Sequence, residues 1–312
     1  MMSIKSNPII LETACGHDGN LKNLFKLIDI AKFAKGKNIK FQIFNLEERA
    51  LNNTKEYKIF KNLVLNESAW KKSIQYAKKK KLSVFTDIYG DYSLNLALKN
   101  NVDGLKIHSE DFFNSFFIEK CIKSNRPVLI GVGGAHRSEI FDLIKYFSKK
   151  ELTKNIILMP GVQNFPTPIN AHSITELKDL KDKYSKYNIK VGYADHISGD
   201  DKFATIFPLM AYSAGAYVIE KHFTDNRQLR RTDYHSALNK HEIRDFIINF
   251  KKLKLTMKPI QKFNKFEKNY RNMFKKSPAL KSPATAGKRI KKNDIFFIKD
   301  RKNPSSISSH HL

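Results

Sequence analysis

Cysteine is nearly absent: 312 residues contain two, Cys15 and Cys121, and there is a single tryptophan. Two thiols so far apart build no disulfide framework, which excludes a small cystine-stapled secreted fold. Long apolar runs are missing as well. None approaches the ~20 residues needed to cross a bilayer, and mean hydropathy is −0.47. Residues 1–7 are polar with no apolar stretch behind them, so the sequence predicts no secretory leader and a reducing, cytoplasmic setting. Glycine is sparse at 13 residues, and no Gly-x-Gly-x-x-Gly turn follows the first apolar run. That argues against an open, doubly wound nucleotide-binding sheet.

Acidic residues are also scarce, with 30 Asp and Glu against 57 Lys and Arg, a formal charge of +27. The excess is mostly lysine scattered over helical faces, as at Lys149-Lys150 and Lys251-Lys252. No zinc-finger spacing, recognition helix or aromatic RNA-binding pattern accompanies it. A basic nucleic-acid- or glycan-binding protein is therefore a minor reading. The same field favours small anionic substrates equally well.

What is present is alternation. Apolar, β-branched runs predict strands over 8–14, 39–44, 82–88, 104–108, 127–133, 155–161, 190–196 and 216–223. Amphipathic stretches between them predict helices over 21–35, 68–80, 93–98, 112–123, 138–149, 173–187, 202–214 and 240–255. Eight β-then-α units read as a (β/α)8 barrel over 1–257. The stretch 258–276 reads as a linker. Beyond it, 277–312 reads as a small, incomplete β-rich module punctuated by proline, with a β-prone piece over 294–299.

In such a barrel, chemistry belongs to strand ends and the loops after them. His196 and His222 each close an apolar run about one repeat apart, so neighbouring strands would deliver both imidazoles to the C-terminal mouth. A divalent metal could be held between them. By alternation Glu220 shares a face with His222, while Lys221 points the other way. The remaining ends offer Glu12, Lys40 and Gln42, Lys106 and Ser109, and Gln163. Lysines on inward-facing strand ends suit a phosphate and a carboxylate, since Lys is almost never buried without a partner. Each has a plainer alternative: a structural histidine, a surface lysine out of register, or Glu12 as a lysine's partner. Cys15 reads most simply as a small buried hydrophobe.

Taken in order, these segments resemble the sialic acid synthase family, with its N-acetylneuraminate, legionaminic and pseudaminic acid branches. The matching pieces are Glu12-Thr-Ala-Cys-Gly-His17-Asp-Gly19, Lys40-Phe-Gln42, Lys106-Ile-His-Ser109, Phe165-Pro166-Thr167-Pro168, Gly192-Tyr-Ala-Asp-His196 and Gly215-Ala-Tyr-Val-Ile-Glu-Lys-His222-Phe-Thr224. The resemblance implies condensation of phosphoenolpyruvate with an N-acyl mannosamine-type sugar, giving a nine-carbon 2-keto sugar acid and phosphate. It implies manganese or magnesium on His196 and His222, and phosphoenolpyruvate on Lys40, Lys106 and Ser109. It gives Glu12 and Glu220 proton or orienting roles, and sets Gln42, Gln163 and Phe165 beside the substrates. Asp233 would accept from sugar hydroxyls. The end of the chain resembles the start of the family's antifreeze-like (SAF) domain, whose arginine, here Arg301, would reach a partner's sugar in a domain-swapped homodimer.

Departures fall at Gly16, where the family has Asn, at Ala194, where it has Ser, and at Gln163 and Phe165, where it has Asn and Tyr. Glu110 or Asp111 would fill the family's acidic position after the Lys-x-x-Ser segment. The competing enzyme reading is a Schiff-base aldolase using Lys106 or Lys40 as nucleophile.

Overall fold

The computed structural model describes Ile4, residues 7–259 and residues 263–299. Nine parallel strands form one sheet: β1 Ile9–Glu12, β2 Asn38–Gln42, β3 Ser83–Ile88, β4 Gly104–Ile107, β5 Val128–Gly131, β6 Ile156–Met159, β7 Lys190–Val191, β8 Tyr193–Asp195 and β9 Ile219–His222. Their order is β7-β6-β5-β4-β3-β2-β1-β9-β8. The two ends of that order are one continuous run. Gly192 separates them, its N–H bonding to Leu158 O at 2.8 Å while the Tyr193 N–H bonds to Val218 O at 2.8 Å. The first half of the run therefore pairs with β6 and the second with β9, which closes a (β/α)8 barrel.

The helices of this unit are α1 Leu21–Phe33, α2 Lys55–Lys61, α3 Glu67–Lys79, α4 Asp91–Lys99, α5 Ser115–Ile122, α6 Arg137–Lys149, α7 Ile174–Ser185, α8 Phe203–Ser213 and α9 Lys240–Thr256. Their apolar faces bury Leu24, Trp70, Ile144 and Phe246 against the outer faces of the strands. α2 was not expected. It has no buried residue, so no apolar stripe announced it, and its start is set by Thr54, whose side chain accepts from Tyr57 N.

Inside the barrel the side chains are layered. Ile10, Phe85, Leu129, Ile157, Met159, Ala194 and Val218 make an apolar floor with Ile4. Gly104 leaves the room that the Phe85 ring fills, since a Cβ there would lie 2.3 Å from it. The next inward positions toward the strand ends are charged: Glu12, Lys40, Asp87, Lys106 and Glu220. The floor raises a polar layer to the mouth and keeps water from reaching it from below.

Residues 1–256 and 257–312 separate into two compact units. Within the second, the stretch read as a linker contains α10 Lys265–Phe274, capped by Asn264 and carrying Phe266, Tyr270, Met273 and Phe274 at helical spacing. An antiparallel pair, β10 Ser277–Leu280 and β11 Ile295–Ile298, follows. Among the described residues no helix is long and apolar enough to cross a membrane.

Candidate active site

The charged layer is a connected ionic network. Lys40 Nζ contacts Glu12, lies 2.6 Å from Asp87 Oδ2 and 3.2 Å from Glu220 Oε1. Lys106 Nζ is 2.5 Å from the same Glu220 oxygen. All five residues are buried. Strand register explains the meeting, because Glu12 stands beside both Lys40 and His222, and Asp87 stands beside both Gln42 and Lys106. A buried network of this kind adds little stability compared with apolar packing, so it points to function. Counting each carboxylate and ammonium as charged, three negatives face two positives.

The electrostatics follow from that packing. Burial pushes the Lys40 ammonium below its ordinary value, against the pull of Asp87 and Glu220. Burial acts on Lys106 the same way, but Glu220 and Asp87 outweigh it and carry its pKa up. Burial alone would raise Glu220, yet Lys106 and Lys40 hold it well below the usual carboxylate range. On the opposite face of β9, Lys221 pairs with Asp195 of β8, also buried.

Above the network stand two imidazoles. The His196 and His222 rings are 5.1 Å apart, centre to centre, at 52°. The His196 carbonyl accepts from Thr167 N and from Ser236 Oγ, both at 2.8 Å, which fixes the backbone behind the ring. Burial lowers His196 to about 3, reinforced by Lys106. Burial and His196 depress His222 well below the ordinary value. Both rings are therefore neutral, the state a metal ligand requires. His196 Nδ1 is buried with no hydrogen-bond partner among the described residues. Neutral imidazoles, an orphaned ring nitrogen and a net negative cluster beneath fit a divalent cation. Among the described residues no third His, Cys, Asp or Glu joins them as a ligand group, so further donors would be water and substrate.

Lys40, Gln42, Asp87, Lys106, Gln163, Phe165, His196, Glu220, His222 and Asp233 share one cavity of about 390 Å³. Glu12 lies under it against Lys40. Ser109 is not brought to its wall. A Cβ on Gly131 would come within 2.5 Å of the Ser109 Oγ, so that hydroxyl lies against β5, and it has no partner among the described residues. Of the two open acidic choices, Glu110 lines the cavity and Asp111 does not. Arg301 lies outside the described residues.

The loop that carries Asp233 is clamped to the loop after β1. Asp233 adopts a left-handed conformation, φ 65°, and its Oδ2 accepts from Cys15 N at 3.2 Å. Asp18 Oδ1 accepts from Thr232 N and Oγ1, both at 2.9 Å, and Arg231 bridges Asp18 to Asp225. Gly19, at φ 68°, completes that turn, where a Cβ would fall 2.2 Å from Asn62 O.

His17 of the same motif turns inward and lines none of this cavity. It is fully buried, edge-on to Trp70 at 5.6 Å, and its Nδ1 accepts from Gly19 N at 3.0 Å. Burial lowers its pKa to about 4. The unfolded chain takes up a proton below about pH 6.5 that the native ring refuses until about pH 4, so stability falls by about 3 kcal/mol across that window. Urea denaturation at pH 7 and pH 4.5 is expected to show at least that loss in the wild type, since the depressed His196 and His222 rings add to it in the same direction. His17→Asn keeps an acceptor without the titration and should lose less by roughly that amount.

Asp87, Arg49, Tyr89 and His108 line the cavity and were not anticipated. Asp87 follows an apolar run and had no motif. Only its position two residues after inward-facing Phe85 could have signalled it.

The NeuB family model matches residues 27–262. The N,N'-diacetyllegionaminic acid synthase of Campylobacter jejuni is 27% identical over 309 residues, covering 94% of this chain and 88% of that protein. The pseudaminic acid synthase of the same species is 26% identical over 253 residues, covering 77% and 71%. Among solved structures, the N-acetylneuraminic acid synthetase of Leptospira borgpetersenii superposes with a TM-score of 0.74 at 28% identity, covering 86% of this chain and 92% of that one.

Proposed function

The chain belongs to the NeuB family, and on that premise we propose that it joins phosphoenolpyruvate to an N-acyl mannosamine-type sugar. The products are inorganic phosphate and a nine-carbon 2-keto sugar acid. The observation that carries this reading is the shared cavity, with two buried ammoniums at its base and two neutral imidazoles above them. The names of the relatives, synthases of legionaminic, pseudaminic and N-acetylneuraminic acids, support the same substrate class.

In this reading Lys40 and Lys106 receive the phosphate and carboxylate of phosphoenolpyruvate. Each ammonium already has carboxylate partners, so the entering anion takes the place of Glu220 and Asp87 against them. Carbon 3 of the enol then attacks the sugar's open-chain aldehyde, and positive charge develops at carbon 2. Water adds there and gives up its proton to Glu220, whose Oε2 is buried with no partner among the described residues. Glu220 passes that proton on to the alkoxide left at the former aldehyde oxygen. Collapse of the tetrahedral intermediate breaks the carbon–oxygen bond to phosphate, which takes the carbon 2 hydroxyl proton as it leaves beside the lysines. Bound at His196 and His222, a manganese or magnesium ion supplies Lewis acidity toward the aldehyde oxygen. Asp233 accepts from the sugar's hydroxyls, and Gln42 and Gln163 offer amides in the same cavity. Ser109 is left out of the phosphate set because of where its hydroxyl lies. A homodimer in which Arg301 reaches the partner's sugar belongs to the same proposal.

The test is phosphate release by the full chain with manganese, phosphoenolpyruvate and a panel of N-acyl mannosamines. Turnover with at least one sugar is expected. No release from any of them, with metal bound, would overturn the reading.

A further inference from the structure

At the mouth of the cavity an arginine is enclosed by aromatic rings. The Arg49 guanidinium carbon lies 3.9 Å from the Tyr89 ring centre, 4.3 Å from Phe60 and 5.7 Å from Phe44. Its Nη1 is paired with Glu110 Oε1, and only 11% of the side chain is exposed, against 47% for Glu110. Arg49 Nε is buried with no hydrogen-bond partner among the described residues. Among the described residues, stacking and the ion pair with Glu110 therefore place this guanidinium.

The loop that presents it is anchored from the other side. Glu48 turns away from the cavity and accepts from Tyr92 N at 2.7 Å and Ser93 N at 3.2 Å, the open N–H groups at the start of α4. The Glu48 N–H is itself tied to Asn45 Oδ1 at 2.9 Å, and Arg49 N to Leu46 O at 3.0 Å. Adjacent residues thus divide the work, Glu48 fixing the backbone and Arg49 reaching inward. Glu110 is gripped in turn. One oxygen meets Arg49, and the other lies 3.5 Å from His108 Nδ1. A half-exposed carboxylate would otherwise sample several rotamers in water.

We propose that Arg49, stacked between Tyr89 and Phe60, is a positioning residue that fixes the Glu110 carboxylate to accept from hydroxyls of the acceptor sugar. The proposal rests on the function proposed above and extends it to a residue outside the family motifs in this sequence. Arg49 acts through Glu110 and is distinct from the lysine pair that takes phosphoenolpyruvate. Lysine at position 49 would keep the charge but lose the planar stack and the forked donors.

The experiment is initial-rate kinetics of the full chain, varying sugar and phosphoenolpyruvate separately. Arg49→Lys is expected to raise the sugar KM about tenfold while the phosphoenolpyruvate KM stays within about twofold. Glu110→Gln should do the same, and the double variant should be no worse than the weaker single, since both remove one interaction. Phe60→Leu keeps the ion pair and removes one stacking face, so the sugar KM should rise about threefold even where Arg49→Lys proves unstable. An unchanged sugar KM, equal rises in both constants, or effects that multiply in the double variant would overturn the role of Arg49. Those outcomes presuppose an active wild type. A wild type inactive on every sugar overturns the proposed function, and this inference with it.

Discussion

Lys40→Met is expected to lower the unfolding free energy by about 3–5 kcal/mol, because removing one partner strands the others as buried charge. Lys40 is the member that touches Glu12, Asp87 and Glu220 together. Methionine matches the length of the stem but leaves three carboxylates facing one another above an apolar floor. Lys106 lies beside Glu220 and reaches neither of the other two in an ion pair among the described residues. Thermal unfolding at pH 7.5 should move down by roughly 10 °C. A loss below about 1 kcal/mol would mean that the carboxylates find other relief, and the network would then be no closed unit.

His222→Ala should behave in the opposite way, folding nearly as well as the wild type and failing in catalysis. Its ring is buried but borders the cavity, so its truncation enlarges an existing space and is expected to cost about 1 kcal/mol of folding. In the proposed reaction His222 would hold, together with His196, a divalent ion that would supply Lewis acidity toward the aldehyde. Loss of that holding is expected to cut kcat/KM by on the order of 1,000-fold, about 4 kcal/mol of barrier. A chelator applied to the wild type should give a similar loss, restored by added manganese. Activity that survives both treatments, together with a pyruvate adduct trapped by borohydride on Lys40 or Lys106, would favour the aldolase reading instead.

The two variants separate what alternation along a strand reveals from what only assembly creates. Parity alone places Lys40 with Gln42 and Glu220 with His222, since each pair lies two residues apart on a strand. Barrel closure was legible from eight repeating units. The break at Gly192 was not, because where a strand changes neighbours depends on the stagger of the whole barrel. Asp87 was hidden for the same reason: its importance comes from Lys40, its ion-pair partner on the neighbouring strand β2. Arg49 lies in a loop whose course is set by Glu48 at a helix start more than 40 residues away. The Ser109 hydroxyl was assigned by motif to the phosphate, but the glycine at position 131 leaves room for it to lie against β5. Local pattern thus finds residues that act through their own strand. It misses those defined by a neighbour distant in the chain.

The strand order has a consequence for how the protein comes into being. β9 pairs with β1 on one side and β8 on the other, and it brings both Glu220 and His222. A chain emerging during synthesis completes β1 through β8 before β9 is available. Until then Lys106 lacks its ion-pair partner and His196 lacks its neighbour. The last strand to arrive is the keystone of both the barrel and its chemistry, so a molecule stalled one strand short is inactive and open along a sheet edge, where it is prone to pair with another chain.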